Sequence, residues 1–497
     1  MIRQTVGNIF KTLAFTAQRF NIRLPTVILT PLRLLLLKLV ENKADFQDVA
    51  DWSQPLIAGR EMKDAAEISI MAPQNLEASI ISLPPVKNPS DSLTLAKKPQ
   101  KSLKCLLVTS ALDAGGMDEV VVFLARGLLR YNIQTAVLHA SMEGSPDGTP
   151  SGRLGRLLLE YGVEAVELDP DRGMPWLEAW RPDVISAHGA PSWVLDAATR
   201  LSIPYFDTLH GMHSHFGADW AIENERSQRL TGIVAVSELV RQQYLNGNPA
   251  FPPERIVTIP NSVDAERRIP CDRNSFRSHL GIQDEYLFVS LARHCLQKNT
   301  YGLVAAFADV VALHPEAHLV IAGRPDDPMY FSQLLRLRKS LACKDRIHLR
   351  DHMPNPAQLL AASDGFVLNS FFEGWSLASM EALYAGIPVV LSEVGGAREQ
   401  VGDSNERGYV IPNPLGDPLR VNWETMREAS YARQVNRETL IAAISSLITN
   451  RETWLEGRQR LISESAVRFH PDISLSNHAR VLRTATYGEF LRVGEEL

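Results

Sequence analysis

"FFEGWSLASMEALYAG", residues 371–386, joins two local signals. The run before it, "GFVLNS" (365–370), is short and apolar and reads as a buried strand. After Gly374, "SLASMEALYA" reads as a helix, with Ser376 as N-cap, Leu377 in the first turn and Gly386 just past the end. Strand, glycine turn and helix start make the repeating unit of a parallel α/β sheet, and the free N–H groups of the helix start favour an anion. Yet Glu373 stands on the loop in front of that start and Glu381 in its second turn. A carboxylate repels phosphate but accepts sugar hydroxyls, in charge-assisted hydrogen bonds of roughly 1.5–3 kcal/mol each. A diphosphate flanked by two sugars fits the layout, with one glutamate per sugar. The spacing alone fits equally well with glutamates that merely complement the helix dipole, at ~0.3–1 kcal/mol each.

Working outward, the same alternation recurs on both sides. Toward the N-terminus, "CLLVTSAL" (105–112), "QTAVLHA" (134–140), "PDVISAH" (182–188), "PYFDTLH" (204–210) and "GIVAVS" (232–237) read as strands. Helical stretches such as "VVFLARGLLRYN" stand between them. A second series begins near residue 284 with "EYLFVSLAR", "AHLVIAG", "RIHLRD", "GFVLNS" and "IPVVLSE". Two successive doubly wound α/β domains predict a cleft between them, with ligands beyond the C-terminal strand ends. Residues 414–436 read as an insertion before the helix "RETLIAAISSLITN", and the last helix as "DISLSNHARVLRTATYGEFLRV".

The chain has 497 residues, 45% hydrophobic and 22% charged, the composition of an ordinary globular protein. A net charge of −6 gives no bulk case for nucleic-acid binding. Four cysteines stand far apart, at Cys105, Cys271, Cys295 and Cys343, which argues against a disulfide framework or structural zinc and suits a reducing cytosol. Residues 1–43 carry +6 and leave −12 for the rest. Their apolar run "LPTVILTPLRLLLLKLV" (24–40) is broken by Arg33, Lys38 and two prolines, so it reads poorly as a membrane span. No small-residue cleavage site follows it, as a signal peptide would need. It reads as an interfacial segment or as a helix packed on the protein itself. "LPPVKNPSDSLTLAKKPQKSLK" (83–104) reads as a linker.

Three further motifs bear on chemistry. "SLARHCLQKN" (290–299) puts Arg293 and Lys298 at the end of the first strand of the second domain, on the cleft side, where two cations can clamp a diphosphate. "DAGGMDE" (113–119) lets backbone approach a ligand at Gly115 and Gly116, without the spacing of a dinucleotide fingerprint. "FDTLHGMHSH" gathers Asp207, His210 and His213 at a strand end, as candidate proton handlers lining the cleft. "DPD" (169–171) and "PDDP" (325–328) read as solvated turns, and no metal is called for.

Taken in order, the GG turn, "TLHG" (208–211), "AVSE" (235–238), "IPNSVD" (259–264), Arg293 with Lys298, "VIAGR" (320–324), Glu373 to Glu381 and "VGGAREQV" (394–401) resemble the family-4 glycosyltransferases over about residues 104–490. The resemblance implies the GT-B fold: two facing Rossmann-like domains with a cleft between them, here with an N-terminal extension. It divides the chain into a basic, apolar extension and linker (1–103), an acceptor-side domain (104–265), a donor-binding domain (266–470) and a C-terminal helix (471–497) packing back on the first domain. It implies a retaining transferase that moves a sugar from a nucleotide-sugar to a glycan or lipid-linked acceptor, with no cofactor or metal. Arg293 and Lys298 would bind the diphosphate, Glu381 the ribose and Glu373 the transferred sugar. The amides of Trp375, Ser376 and Leu377 would face sugar and phosphate, His210 would sit near the reacting sugar, and Gly116 would let the facing loop approach. Where the family commonly reads E-G-F-G-L-P, this chain has Glu373-Gly374-Trp375-Ser376-Leu377-Ala378. The alternatives are a GT-B epimerase and a non-catalytic nucleotide-sugar-binding subunit. The expected location is the cytoplasm, peripheral at the inner face of the plasma membrane through residues 1–43.

Overall fold

The computed structural model describes residue 52 and residues 55–57, 102–113, 115–141, 143–262, 272–353 and 355–486. The basic segment 1–43, most of the 83–104 linker and the last residues of the C-terminal helix lie outside the described residues.

Two parallel sheets carry the chain. The first holds β1 (Leu103–Thr109), β2 (Ile133–Ala140), β3 (Glu164–Leu168), β4 (Val184–His188), β5 (Tyr205–Leu209), β6 (Gly232–Ala235) and β7 (Ile256–Thr258). Their order is β3-β2-β1-β4-β5-β6-β7. The second holds β8 (Tyr286–Leu291), β9 (Ala317–Ala322), β10 (Ile347–Arg350), β11 (Gly365–Leu368), β12 (Val389–Ser392) and β13 (Gly408–Ile411). Their order is β10-β9-β8-β11-β12-β13. Strand order reverses between β1 and β4 and again between β8 and β11, and at such switch points the loops leaving adjacent strands diverge to open a crevice. The strands are apolar on both faces because helices cover both. Phe288, Leu319 and Val367 pack under the helix Thr300–Leu313, while Val289, Val320 and Phe366 pack toward Met380 and Leu383 on the other side.

The C-terminal helix Pro471–Thr486 leaves the second domain and packs on the first. Leu475, Ala479 and Leu482 join the cluster of Val121, Leu124 and Leu128. Leu475 fills the notch left by Gly127, where a Cβ would lie 2.4 Å from its Cδ2. The crossing point is Phe469, whose ring meets Trp375 edge-on at 6.1 Å and whose carbonyl accepts from Tyr384 Oη at 2.6 Å and Ser262 Oγ at 2.9 Å. The chain therefore changes domain directly beneath the stretch 371–386. A short piece of the N-terminal extension also docks on the second domain. Leu56 N–H donates to the Leu280 carbonyl at 2.9 Å and Trp52 Nε1 to the Asp351 carbonyl at 3.2 Å.

Candidate functional site

The loops after β8 and β11 border the second crevice and are laced together. Phe371 N–H donates to the Gln297 carbonyl at 2.9 Å, and Gln297 Nε2 to the Phe372 carbonyl at 3.3 Å. Beneath them four amides form a buried net. Asn299 and Gln434 exchange hydrogen bonds at 2.9 and 2.6 Å, Asn369 donates to Gln434 at 3.3 Å, and Asn436 donates to Asn369 at 2.8 Å. Asn299 sits in the left-handed region at φ 51°, which an asparagine tolerates, and this turns the chain from Lys298 into the helix Thr300–Leu313. Gln434 ties the segment after β13 to both loops.

On this base stand the two cations, each beside a carboxylate. Lys298 Nζ donates to both oxygens of Glu373, at 2.7 and 2.9 Å, and Ser370 Oγ donates to Glu373 at 2.6 Å. Arg293, half exposed, donates to Asp326 at 2.5 Å and to Gln297 at 3.2 Å. Asp326 belongs to the "PDDP" turn and is thus no mere solvated residue, while Asp327 caps the helix Pro328–Ser340. "DPD" likewise differs from expectation, because Asp169 caps the helix Pro170–Trp180 and pairs with Arg172.

The helix of the opening stretch runs Leu377–Tyr384 with Ser376 as N-cap, its hydroxyl accepting from Ser379 N–H at 3.2 Å. Gln400 braces the turn by donating to the Ser376 carbonyl at 3.0 Å. The N–H groups of Leu377 and Ala378 have no acceptor within the helix, as at any helix start. Glu381 is half-buried one turn further in. The Trp375 indole is buried in the core against Gly396 and Phe469, so only its backbone can face the cleft.

The first domain closes on this surface. Its helix Gly116–Gly127 starts opposite the other helix start, a Cβ on Gly116 lying 3.7 Å from Leu377 Cδ1. The approach is tightest at Gly374, where a Cβ would lie 2.1 Å from the His210 carbonyl oxygen. Glycine is needed there for space, since no side chain fits between the two backbones. His213 stacks on Phe372 at 5.9 Å, and Phe216 meets Phe372 and Trp423 edge-on at 5.1 and 5.8 Å. Glu238 N–H donates to Glu399 at 2.8 Å, and Gln243 Nε2 to the Pro418 carbonyl at 2.9 Å.

The backbone carbonyl of His210 abuts Gly374 from the first domain, while its ring turns to His188. Burial, then His478 and His213, push its pKa down to about 3. Its Nε2 lies 2.8 Å from His188 Nδ1. Burial alone lowers His478 to about 4. Burial also lowers His213, helped by His215 and Arg293 and opposed by Glu373. Asp207 does not join this group, because Arg226 holds it at 2.7 Å. The structure thus gathers Arg293, Lys298, Glu373, Gly374, Ser376, Leu377, His210 and Gly116 at one cleft. Sequence reading did not single out Asp326, Ser370, His188, His478 or the amide net. Among the described residues, no three His, Cys, Asp or Glu side chains are placed to hold a metal ion.

The comparisons agree with this fold. Residues 114–267 match the profile described as Glycosyltransferase Family 4, and residues 272–419 that of Glycosyl transferases group 1. The alpha-maltose-1-phosphate synthase of Mycolicibacterium smegmatis is 27% identical over 256 residues, 49% of this chain and 61% of that protein. A D-inositol 3-phosphate glycosyltransferase of Geodermatophilus obscurus is 28% identical, over 59% of this chain and 73% of that protein. The chain spans 54–61% of the length of the first curated relatives it matches. Among solved structures, Anabaena HepE in complex with UDP is similar at TM-score 0.63 and 17% identity, over 77% of this chain and all of that one. Sucrose-phosphate synthase from Thermosynechococcus elongatus is similar at TM-score 0.60 and 15% identity, over 78% of this chain and all of that one.

Proposed function

The chain belongs to glycosyltransferase family 4, with the GT-B fold, and from that premise we propose that it moves a sugar from a nucleotide-sugar donor to a glycan or lipid-linked acceptor with retention at the anomeric carbon. The observation that carries this reading is the Lys298–Glu373 pair in front of the helix start at Leu377, across from a second helix start at Gly116. Cations and helix-start N–H groups are brought near one another there, and such groups stabilise charge building on a departing phosphate.

Both cations have a carboxylate partner, Glu373 or Asp326, which a diphosphate would replace. When Lys298 turns to phosphate, Glu373 is released to accept hydroxyls of the transferred sugar. Glu381 accepts from the ribose, and the amides of Trp375, Ser376 and Leu377 meet sugar and phosphate. His210 lies on the opposite wall, near the reacting sugar. The acceptor hydroxyl attacks on the face from which the nucleotide departs, and its proton passes to the leaving phosphate. No step calls for a metal or cofactor.

The test is to incubate the protein with candidate nucleotide-sugars and acceptors and follow the anomeric protons by NMR. The reading expects nucleotide diphosphate released only with acceptor present, and an α-linked product from an α-linked donor. Donor isomerised without acceptor would mark an epimerase, and donor bound but never turned over a non-catalytic subunit.

We also propose that residues 1–43, with their +6 charge and apolar run, bring the protein to an anionic membrane surface. Among the described residues no helix is long and apolar enough to cross a membrane. Equal sedimentation with anionic vesicles by the full chain and by a chain lacking 1–43 would remove this assignment.

A further inference from the structure

His188 ends β4 at the centre of the first sheet and is fully buried. Its two ring nitrogens have different partners. Nδ1 lies 2.8 Å from His210 Nε2, and Nε2 lies 3.1 Å from Ser186 Oγ. The rings of His188 and His210 are 5.1 Å apart and tilted by 37°. Ser186 is also buried, two residues back on the same strand, and among the described residues its hydroxyl has no other hydrogen-bond partner.

The buried Ser186 hydroxyl points to one direction for each of these hydrogen bonds. A neutral imidazole carries one N–H and one lone pair. Were the proton on His188 Nε2, it would point at Ser186 Oγ, and the hydroxyl's own proton would be buried without an acceptor. Buried polar groups are seldom left so. With Ser186 O–H donating to His188 Nε2, both contacts of the buried His188 ring are matched: His188 Nδ1–H donates to His210 Nε2, which leaves the proton of His210 on Nδ1. Burial keeps both rings neutral, His188 having His210 and His478 beside it and His210 having His478 and His213.

We propose that Ser186 and His188 are positioning residues that lock His210 in the Nδ1–H tautomer, so that His210 meets the transferred sugar as a hydrogen-bond donor and not as a base. This rests on the glycosyltransferase reading for the identity of the sugar, but not for the tautomer. His210 then has no lone pair to offer the incoming acceptor. The sequence put His210 forward as a helper in accepting the acceptor's proton, and the geometry reassigns it.

The test uses the full chain with ¹⁵N-labelled histidine, long-range ¹H–¹⁵N NMR at neutral pH, and His210→Gln to assign the signal. Wild type is expected to show the Nδ1–H pattern for His210. His188→Gln can still accept from Ser186 and donate to His210, so it should keep that pattern and most of the turnover. Ser186→Ala and His188→Leu should release the tautomer and lower kcat by about 10²-fold or more, with the donor KM nearly unchanged. An Nε2–H pattern for His210 in wild type would overturn the proposal. So would a pattern identical in wild type and in both Ser186→Ala and His188→Leu. Should His188→Leu fail to fold, Ser186→Ala, which removes one oxygen, decides the matter. A correct tautomer in a protein that transfers no sugar would contradict the glycosyltransferase reading and leave the positioning intact.

Discussion

Lys298 and Glu373 grip each other through both carboxylate oxygens, at 2.7 and 2.9 Å, with the side chains only 16% and 8% exposed. They come from loops 75 residues apart in the chain that are adjacent at the switch point between β8 and β11. Removing one partner of such a pair strands the other. Lys298→Met should lower unfolding stability by about 3 kcal/mol, near the low end for a buried pair because Lys298 keeps some water contact. Lys298→Met combined with Glu373→Gln should recover much of that in urea unfolding while remaining inactive. A double variant no more stable than Lys298→Met would mean the pair is not the source of the loss.

Gly374→Ala tests the closeness of the two domains. The new methyl would meet the His210 carbonyl at 2.1 Å, so the walls must separate by an ångström or more. Misplacement on that scale is expected to reduce kcat by about 10²-fold. Unfolding of the isolated domains' cores should change little, since the clash lies in the cleft. Wild-type turnover in Gly374→Ala would show that the cleft does not work in this closed geometry.

Gln434→Leu should destabilise through polar atoms it leaves unmatched. Asn299 and Asn369 both lose a buried partner, at roughly 1–3 kcal/mol for each unsatisfied group. Lys298 and Glu373 sit on the loosened loops, so activity should fall with stability. Chemical unfolding curves for the variant and wild type check this, and coincident midpoints would contradict it.

How much of this could be read from sequence follows from how local each feature is. The stretch 371–386 displayed its turn, cap and helix because cap, apolar run and closing glycine lie within sixteen positions. The strands β3, β7 and β13 were not recognised. β3 ("EAVEL") carries two glutamates, and β7 ("IVT") and β13 ("GYVI") are too short to show a period. The partners of the cations were hidden for another reason. Asp326 meets Arg293 across 33 residues, and nothing near Asp326 marks it as more than a turn residue. Asp207 looked available in "FDTLHGMHSH", but Arg226, one helix later, takes it. His188 reaches His210 through the parallel pairing of β4 with β5, and His478 reaches it from the C-terminal helix, which the crossing at Phe469 returns to the first domain.

Acid should weaken the fold through its buried histidines. His478 has a folded pKa of about 4 and an unfolded one near 6.5, so between those values the unfolded chain binds more protons. Its contribution is complete above about pH 7 and is lost as pH falls toward 4. At pH 5 the loss is about 2 kcal/mol for this residue alone. Urea unfolding at pH 7 and pH 5 should show His478→Gln losing correspondingly less stability between the two than wild type. An equal loss in both proteins would mean that His478 is not held neutral.

The central claim is that the cleft takes a diphosphate between the two cations and the helix start, with a sugar on either side. The most direct measurement is a thermal-shift panel of nucleotide-sugars on three proteins: wild type, Glu381→Gln, and a control, Glu452→Gln, on the exposed helix Arg451–Glu456. A nucleotide-sugar at 100-fold its Kd should stabilise wild type and the control by ~2.7 kcal/mol. Glu381→Gln should respond clearly less at the same concentration. No response to any nucleotide-sugar in wild type, or equal responses in the two variants, would contradict the account.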